Sequence, residues 1–256
     1  MKPRGGIAVG AALVALLAAS CGPRDQAPAK PANSTLVVGL DVSGSFRAEY
    51  EEAVEFASYY IYAHLHGLGG MQAPTALFVG SIGGDRPGEP KAFHPINDFT
   101  NRTREEIASD LKGWFPPRDV ITDFNVFFQQ VSTLAKERGL ILAPMNVILL
   151  SDGIPDVPGG TRLARNENPI ANVNFGPLEF ISRSVTVRLL YASPAVGDQW
   201  KRLVRRKRVR LWTEEAPVMV GWRRQLLPNQ PLERQDSLWK WMGDNVDFRV
   251  RMGNLF

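Results

Sequence analysis

Five oxygen-bearing side chains stand where apolar segments give way to polar loops. Asp41, Ser43 and Ser45 alternate directly after the run 36–40, Thr122 precedes an amphipathic stretch, and Asp152 follows the run 146–150. Two carboxylates and three hydroxyls, with no His or Cys among them, form a hard-oxygen set suited to Mg²⁺, Mn²⁺ or Ca²⁺. The carboxylates would neutralise a dication, and the hydroxyls would fill part of its shell without adding charge. An open position is then left for an anionic group from outside. Taken singly, each residue also reads as ordinary: Asp and Ser after a strand are turn and cap residues, and Thr122 reads as the cap of the helix behind it. Asp123 and Asp156 are close enough in sequence to make supporting contacts behind these residues, but read better as turn or surface carboxylates. His64 and His66, two apart, do not share a helical face, and with His94 they read as packing or surface residues. Neither Gly-x-Ser-x-Gly nor Gly-x-x-x-x-Gly-Lys-Ser/Thr occurs, so a nucleophile elbow and a phosphate-cradling loop are both absent.

The elements that must position these residues follow from periodicity. Residues 36–40 and 146–150 are continuous apolar runs of strand length, which is the signature of a strand buried on both faces. Tyr50, Val54, Ala57, Ile61 and Leu65 keep a helical period that Gly67 to Gly70 stop. A second strand is expected over 75–80, a Gly/Pro loop over 83–90, and a short strand near Phe93. Thr103 with Glu106 predicts a capped helix up to about Trp114, broken by Pro116 and Pro117. A longer helix is expected over 123–138, a short one over 178–182, strands over 185–191 and 209–213, and a helix over 200–206 between them. Strands alternating with helices predict an α/β fold: a Rossmann-like open, mostly parallel sheet with helices on both faces. Sites in such sheets gather at the carboxyl ends of the strands.

Asp-x-Ser-x-Ser at 41–45, a distant Thr122 and Asp152 in a further loop resemble the von Willebrand factor A-type domain and its metal-ion-dependent adhesion site. The likeness runs from about Thr35 to Thr213 in element order. It implies a three-layer αβα domain in which Ser43, Ser45 and Thr122 ligate a divalent cation directly. Asp41 and Asp152 would then act directly or through water. Mg²⁺ is the first expectation, with Mn²⁺ or Ca²⁺ as alternatives, and a partner protein's Asp or Glu would complete the shell. An aspartyl phosphotransferase of the haloacid dehalogenase type would need a second Asp where Ser43 stands.

The chain has 256 residues, 44% apolar and 22% charged, which suits one globular core and excludes disorder. Lys2 and Arg4 followed by the apolar stretch 7–19 read as a secretory leader, too short to serve as a spanning helix. It ends in Ala18-Ala19-Ser20-Cys21, which resembles the lipobox of bacterial lipoproteins. By that resemblance Cys21, the chain's one cysteine, is acylated, and Gly22 after it points to the periplasmic face of the outer membrane. The expected layout is a leader over 1–20, a Pro/Ala-rich tether over 21–33, and one domain over 34–256 whose segment 216–256 is an aromatic extension with a closing helix. Trp222, Trp239, Trp241, Phe248 and Phe256 there are expected mostly to pack and close the domain. Removing Lys2 and Arg4 from 30 basic residues leaves 28 against 26 acidic ones, so no nucleic-acid partner is indicated. The basic run 201–210 reads as a solvated face and sheet edge. The expected function is therefore a lipid-anchored, metal-dependent adhesion or assembly module rather than an enzyme, with no small-molecule substrate indicated. Two other classes stay open: a metal-dependent hydrolase or phosphotransferase of the envelope, and a structural assembly factor whose metal site does not function in binding.

Overall fold

The apolar runs become the middle strands of a sheet. The computed structural model describes residues 34–86, 88–90, 92–118, 121–156, 167–182 and 184–248; the leader, Cys21, the tether and Phe256 lie outside them. Strand β1 (Thr35–Leu40) is followed by α1 (Arg47–His66), β2 (Ala76–Ser81), the two-residue β3 (Gly83–Gly84), β4 (Phe93–Pro95) and α2 (Arg104–Trp114). Then come β5 (Ile121–Thr122), α3 (Phe124–Glu137), β6 (Met145–Leu150), α4 (Gly176–Ile181) and β7 (Val185–Ala192). The described chain closes with α5 (Pro194–Leu203), β8 (Arg210–Glu215), α6 (Ala216–Met219) and α7 (Asp236–Asn245).

The main sheet has the order β4-β2-β1-β6-β7-β8, parallel throughout except for β4, which runs antiparallel to β2 at the edge. Side chains alternate across it. Leu36, Val38 and Leu40 join a core with α1, α2, α6 and α7, while Val37, Val147 and Leu149 join a second core with α3, α4 and α5. The protein is thus a three-layer α/β fold with an open, mostly parallel sheet. Gly39 lets α3 approach the sheet closely, since a Cβ there would lie 2.7 Å from the Phe127 ring. Trp222 and Trp239 are buried, and Trp222 packs against Phe56 and Tyr59 of α1. No described helix is long and apolar enough to cross a membrane.

The structure departs from the sequence reading in three places. Thr122 does not cap α3; the Asp123 side chain does, accepting from Val126 N at 3.0 Å. Gly83–Gly84, expected within a loop, forms a short strand paired antiparallel with Ile121–Thr122. The helix expected over 200–206 lies earlier, at Pro194–Leu203, because Ser193 caps it and Pro194 occupies its first turn. Residues 204–209 are therefore a connection into β8. It is tied to α4 through the Glu179 carboxylate, which accepts from the backbone N–H of Lys207 and of Arg208.

Candidate functional site

The chain leaves β1 for β2 on one side and later returns to β6 on the other, so the β1/β6 boundary is where strand order switches direction. Crevices of open α/β sheets form outside the carboxyl ends of strands at such a boundary. Asp41 N donates to Leu150 O (2.9 Å) and Ser151 N to Leu190 O (3.1 Å), extending the ladder by one residue on each strand. This holds the first residues of both loops side by side.

Asp41 is fully buried and is the hub. Its Oδ1 accepts from Ser43 N (3.0 Å) and from the Thr122 hydroxyl (3.4 Å), and its Oδ2 accepts from the Ser151 hydroxyl (2.5 Å). The Ser43 and Ser45 hydroxyls lie 3.2 Å apart. Burial pushes the Asp41 carboxyl up to about 6 against the Ser151 and Ser43 donors, and the neighbouring Asp152 charge adds to the push. Asp152 is half-buried, and its Oδ1 accepts from Ile154 N at 3.0 Å. Asp41, Ser43 and Ser45 are thus linked by hydrogen bonds to one another and, through Asp41, to the sequence-distant Thr122, with Asp152 close enough to act on Asp41 electrostatically.

Thr122 reaches the hub through its backbone. Gly83 pairs with it on one side, while the Asp156 carboxylate accepts from Thr122 N (2.7 Å) and Asp156 N donates to Thr122 O (2.9 Å). Asp156 therefore clamps a candidate ligand, the supporting contact that its closeness in sequence allows. Ser151 is the member of this hydrogen-bonded cluster that sequence reasoning did not single out. Its hydroxyl donates to Asp41 and accepts from Gly153 N (3.0 Å), and its one sequence signal is its place directly after the β6 apolar run. Gly153 has φ +78°, and a Cβ on it would lie 2.6 Å from Leu189 Cδ2. Its carbonyl accepts from the buried Trp200 indole at 2.7 Å, which fixes the loop carrying Asp152.

The donor set suits a hard divalent cation. Neighbouring oxygens of an octahedral shell lie about 2.9 Å apart for Mg²⁺ and about 3.3–3.7 Å for Ca²⁺, from their usual metal–oxygen distances. The 3.2 Å between the Ser43 and Ser45 hydroxyls and the 3.4 Å between Thr122 Oγ1 and Asp41 Oδ1 fall within or between those ranges. Among the described residues no three His, Cys, Asp or Glu side chains gather at one point, so a cation here would rely on hydroxyls beside two carboxylates. The histidines serve elsewhere: His64 contacts Gln72 O and the Tyr60 ring, and His94 stacks on Trp114.

No protein-family model matches the chain, and no curated protein matches it. Similar solved structures include proximal thread matrix protein 1 of the mussel byssus, at 14% identity and a TM-score of 0.43, covering 74% of this chain and 46% of that one. The open conformation of the pilus adhesin SpaC from Lactobacillus rhamnosus GG aligns at 14% identity and a TM-score of 0.45, covering 86% of this chain and 30% of that one. The human COPII-coat protein Sec24c aligns at 12% identity and a TM-score of 0.43, covering 73% and 30% respectively. The chain spans less than half the length of each of these proteins.

Proposed function

We propose that the loops after β1 and β6, with Thr122, hold a divalent cation, Mg²⁺ first, which captures an Asp or Glu side chain of a protein partner. On this reading the domain is of the von Willebrand factor A type. The observation that carries it is Asp41: a buried carboxylate with a second carboxylate nearby, facing three hydroxyls and an amide. Burying a carboxylate is unfavourable unless it is paired or coordinates a metal, and a dication would supply the missing charge. Ser43, Ser45, Thr122, Asp41 and Asp152 would hold the ion, and Ser151 and Asp156 would hold the ligands. The bound ion supplies a Lewis-acid position that prefers an anionic oxygen. The hydroxyl ligands add no negative charge beyond that of Asp41 and Asp152, so the open coordination position can still take the partner's carboxylate. The test is isothermal titration of the chain from Asn33 onward with Mg²⁺, Mn²⁺ and Ca²⁺, beside Asp41→Ala. One-site binding in the wild type and at least about tenfold weaker binding in the variant is the expected result. Equal affinity in both proteins would remove the site assignment.

We also propose that Cys21 is acylated and tethers the domain to the periplasmic face of the outer membrane. The lipobox-like end of the leader and the Pro/Ala-rich stretch behind it support this reading. A single acyl chain gives only marginal membrane binding, and stable anchoring takes further chains or a second signal. Wild-type protein should pellet with membranes and Cys21→Ser should not. Pelleting of both alike would contradict the anchor.

A further inference from the structure

At the amino ends of the strands, away from the Asp41 site, three segments meet: the loop from α3 to β6, the last turn of α4, and the connection 204–209 from α5 to β8. Leu142 N donates to Ile181 O at 2.8 Å, which joins the first to the second. The Glu179 carboxylate accepts from the backbone N–H of Lys207 and of Arg208, which joins the second to the third. Three of the six large apolar side chains left exposed among the described residues stand here: Phe180 (85% exposed), Leu142 (69%) and Ile141. Leu142 is held at φ +72°, a region that leucine rarely adopts, with its N–H bound to α4. Backbone strain of this kind persists where it serves a function, and clustered apolar side chains inside a polar rim mark an interaction surface.

The rim is cationic. Segments 136–144, 176–182 and 204–209 carry six Lys and Arg against two Glu. Lys136 borders the same surface hollow as Phe180. Arg206 turns its guanidinium to the Lys201 and Val204 carbonyls. Among the described residues no carboxylate pairs with the side chains of Lys136, Arg138, Arg205, Lys207 or Arg208, all of them exposed. Apolar side chains within such a rim fit a bilayer surface: the apolar groups enter the headgroup region while Lys and Arg meet lipid phosphates. The place where β1 begins favours this occupant over an acidic protein. Thr35 N donates to Pro144 O (2.9 Å), so β1 starts beside the loop that carries Ile141 and Leu142, and Cys21 stands thirteen positions before Ser34. An acyl chain on Cys21 would bring a bilayer towards this face, and a basic patch is the kind of second signal that stable anchoring takes.

We propose that this face docks on a bilayer surface carrying anionic phospholipid, as a second membrane contact beside the Cys21 anchor. The choice of a lipid surface rests on the acylation of Cys21, whereas binding by the face itself needs no acyl chain. The experiment therefore uses the chain from Asn33 onward, a compact unit without leader or Cys21, in EDTA. It is sedimented with vesicles of phosphatidylcholine, alone or with about 30% phosphatidylglycerol. Binding to the mixed vesicles at least about fivefold above that to phosphatidylcholine, and its loss in about 0.5 M salt, is the expected result. Arg205→Gln/Lys207→Gln/Arg208→Gln should weaken it at least about tenfold, and Phe180→Ser/Leu142→Asn at least about threefold. Both variants exchange exposed side chains, Asn tolerates the backbone angle of Leu142, and circular dichroism checks each fold. Absence of binding to the mixed vesicles overturns the proposal, and so does binding that either variant leaves unchanged. Binding of poly-glutamate without binding of vesicles would reassign the face to an acidic protein, and a dimer lost in Phe180→Ser/Leu142→Asn, again without vesicle binding, to a second copy. Fractionation of wild type against Cys21→Ser in high salt, where the face is screened, reads the anchor alone, so the two readings fail separately.

Discussion

Asp41 is held in place by hydroxyl and amide donors, and this gives the metal-free protein a characteristic pH response. Its carboxyl titrates near 6 in the fold, above its ordinary 3.8, because burial disfavours the charged form. The folded state therefore binds the proton more tightly than the unfolded state. Stability from this group is greatest below about pH 4, falls as the pH rises from about 4 to 6, and is lower by on the order of 3 kcal/mol above that window. In EDTA, urea unfolding of wild type against Asp41→Asn should show the difference between the two growing by about that amount from pH 4 to pH 7. A difference that stays flat with pH would mean that the carboxyl is not desolvated as described. Mg²⁺ needs the ionised form, so its affinity should weaken below about pH 6.

At the scale of elements, the loop after β6 is the sensitive part. Gly153 takes φ +78° with Leu189 and Trp200 packed against its α-carbon, so Gly153→Ala adds both backbone strain and overlap. It should destabilise the protein by about 1–3 kcal/mol, read by thermal unfolding, and should weaken Mg²⁺ binding because Asp152 immediately precedes it. Unchanged melting in this variant would show that the loop is not held as the Trp200–Gly153 contact implies. The long elements were legible in the sequence because their apolar residues repeat: β1 and β6 as unbroken runs, α1 by its period and Gly67 stop, α2 by its capping box. The pairing of β3 with β5 was not, since two residues carry no period. The start of α5 was misplaced because residues 200–206 drew the helix past the Ser193 and Pro194 signals.

For the whole molecule, a cation that binds only the folded state must stabilise it. At about 100 times its Kd, Mg²⁺ should add about 2.7 kcal/mol, which for a domain of this size raises Tm by roughly 5–10 °C. Calorimetry with and without EDTA reads this directly, and a Tm indifferent to Mg²⁺ at titrated saturation would speak against a folded-state site. The sequence by itself determined the α/β class, the strands that end in Asp41 and Ser151-Asp152, and the oxygen-only chemistry of the candidate site, because strand period and residue type are local properties. Only the tertiary structure decided that β1 and β6 lie side by side and that Thr122 is brought to Asp41 by Gly83 and Asp156. It also decided that Arg188, an isolated charge within an apolar strand, donates to Asn146 of β6 and to the Phe248 carbonyl after α7. Each of these depends on which distant segments become neighbours, and that is settled by how the two faces of the sheet are covered rather than by any local pattern.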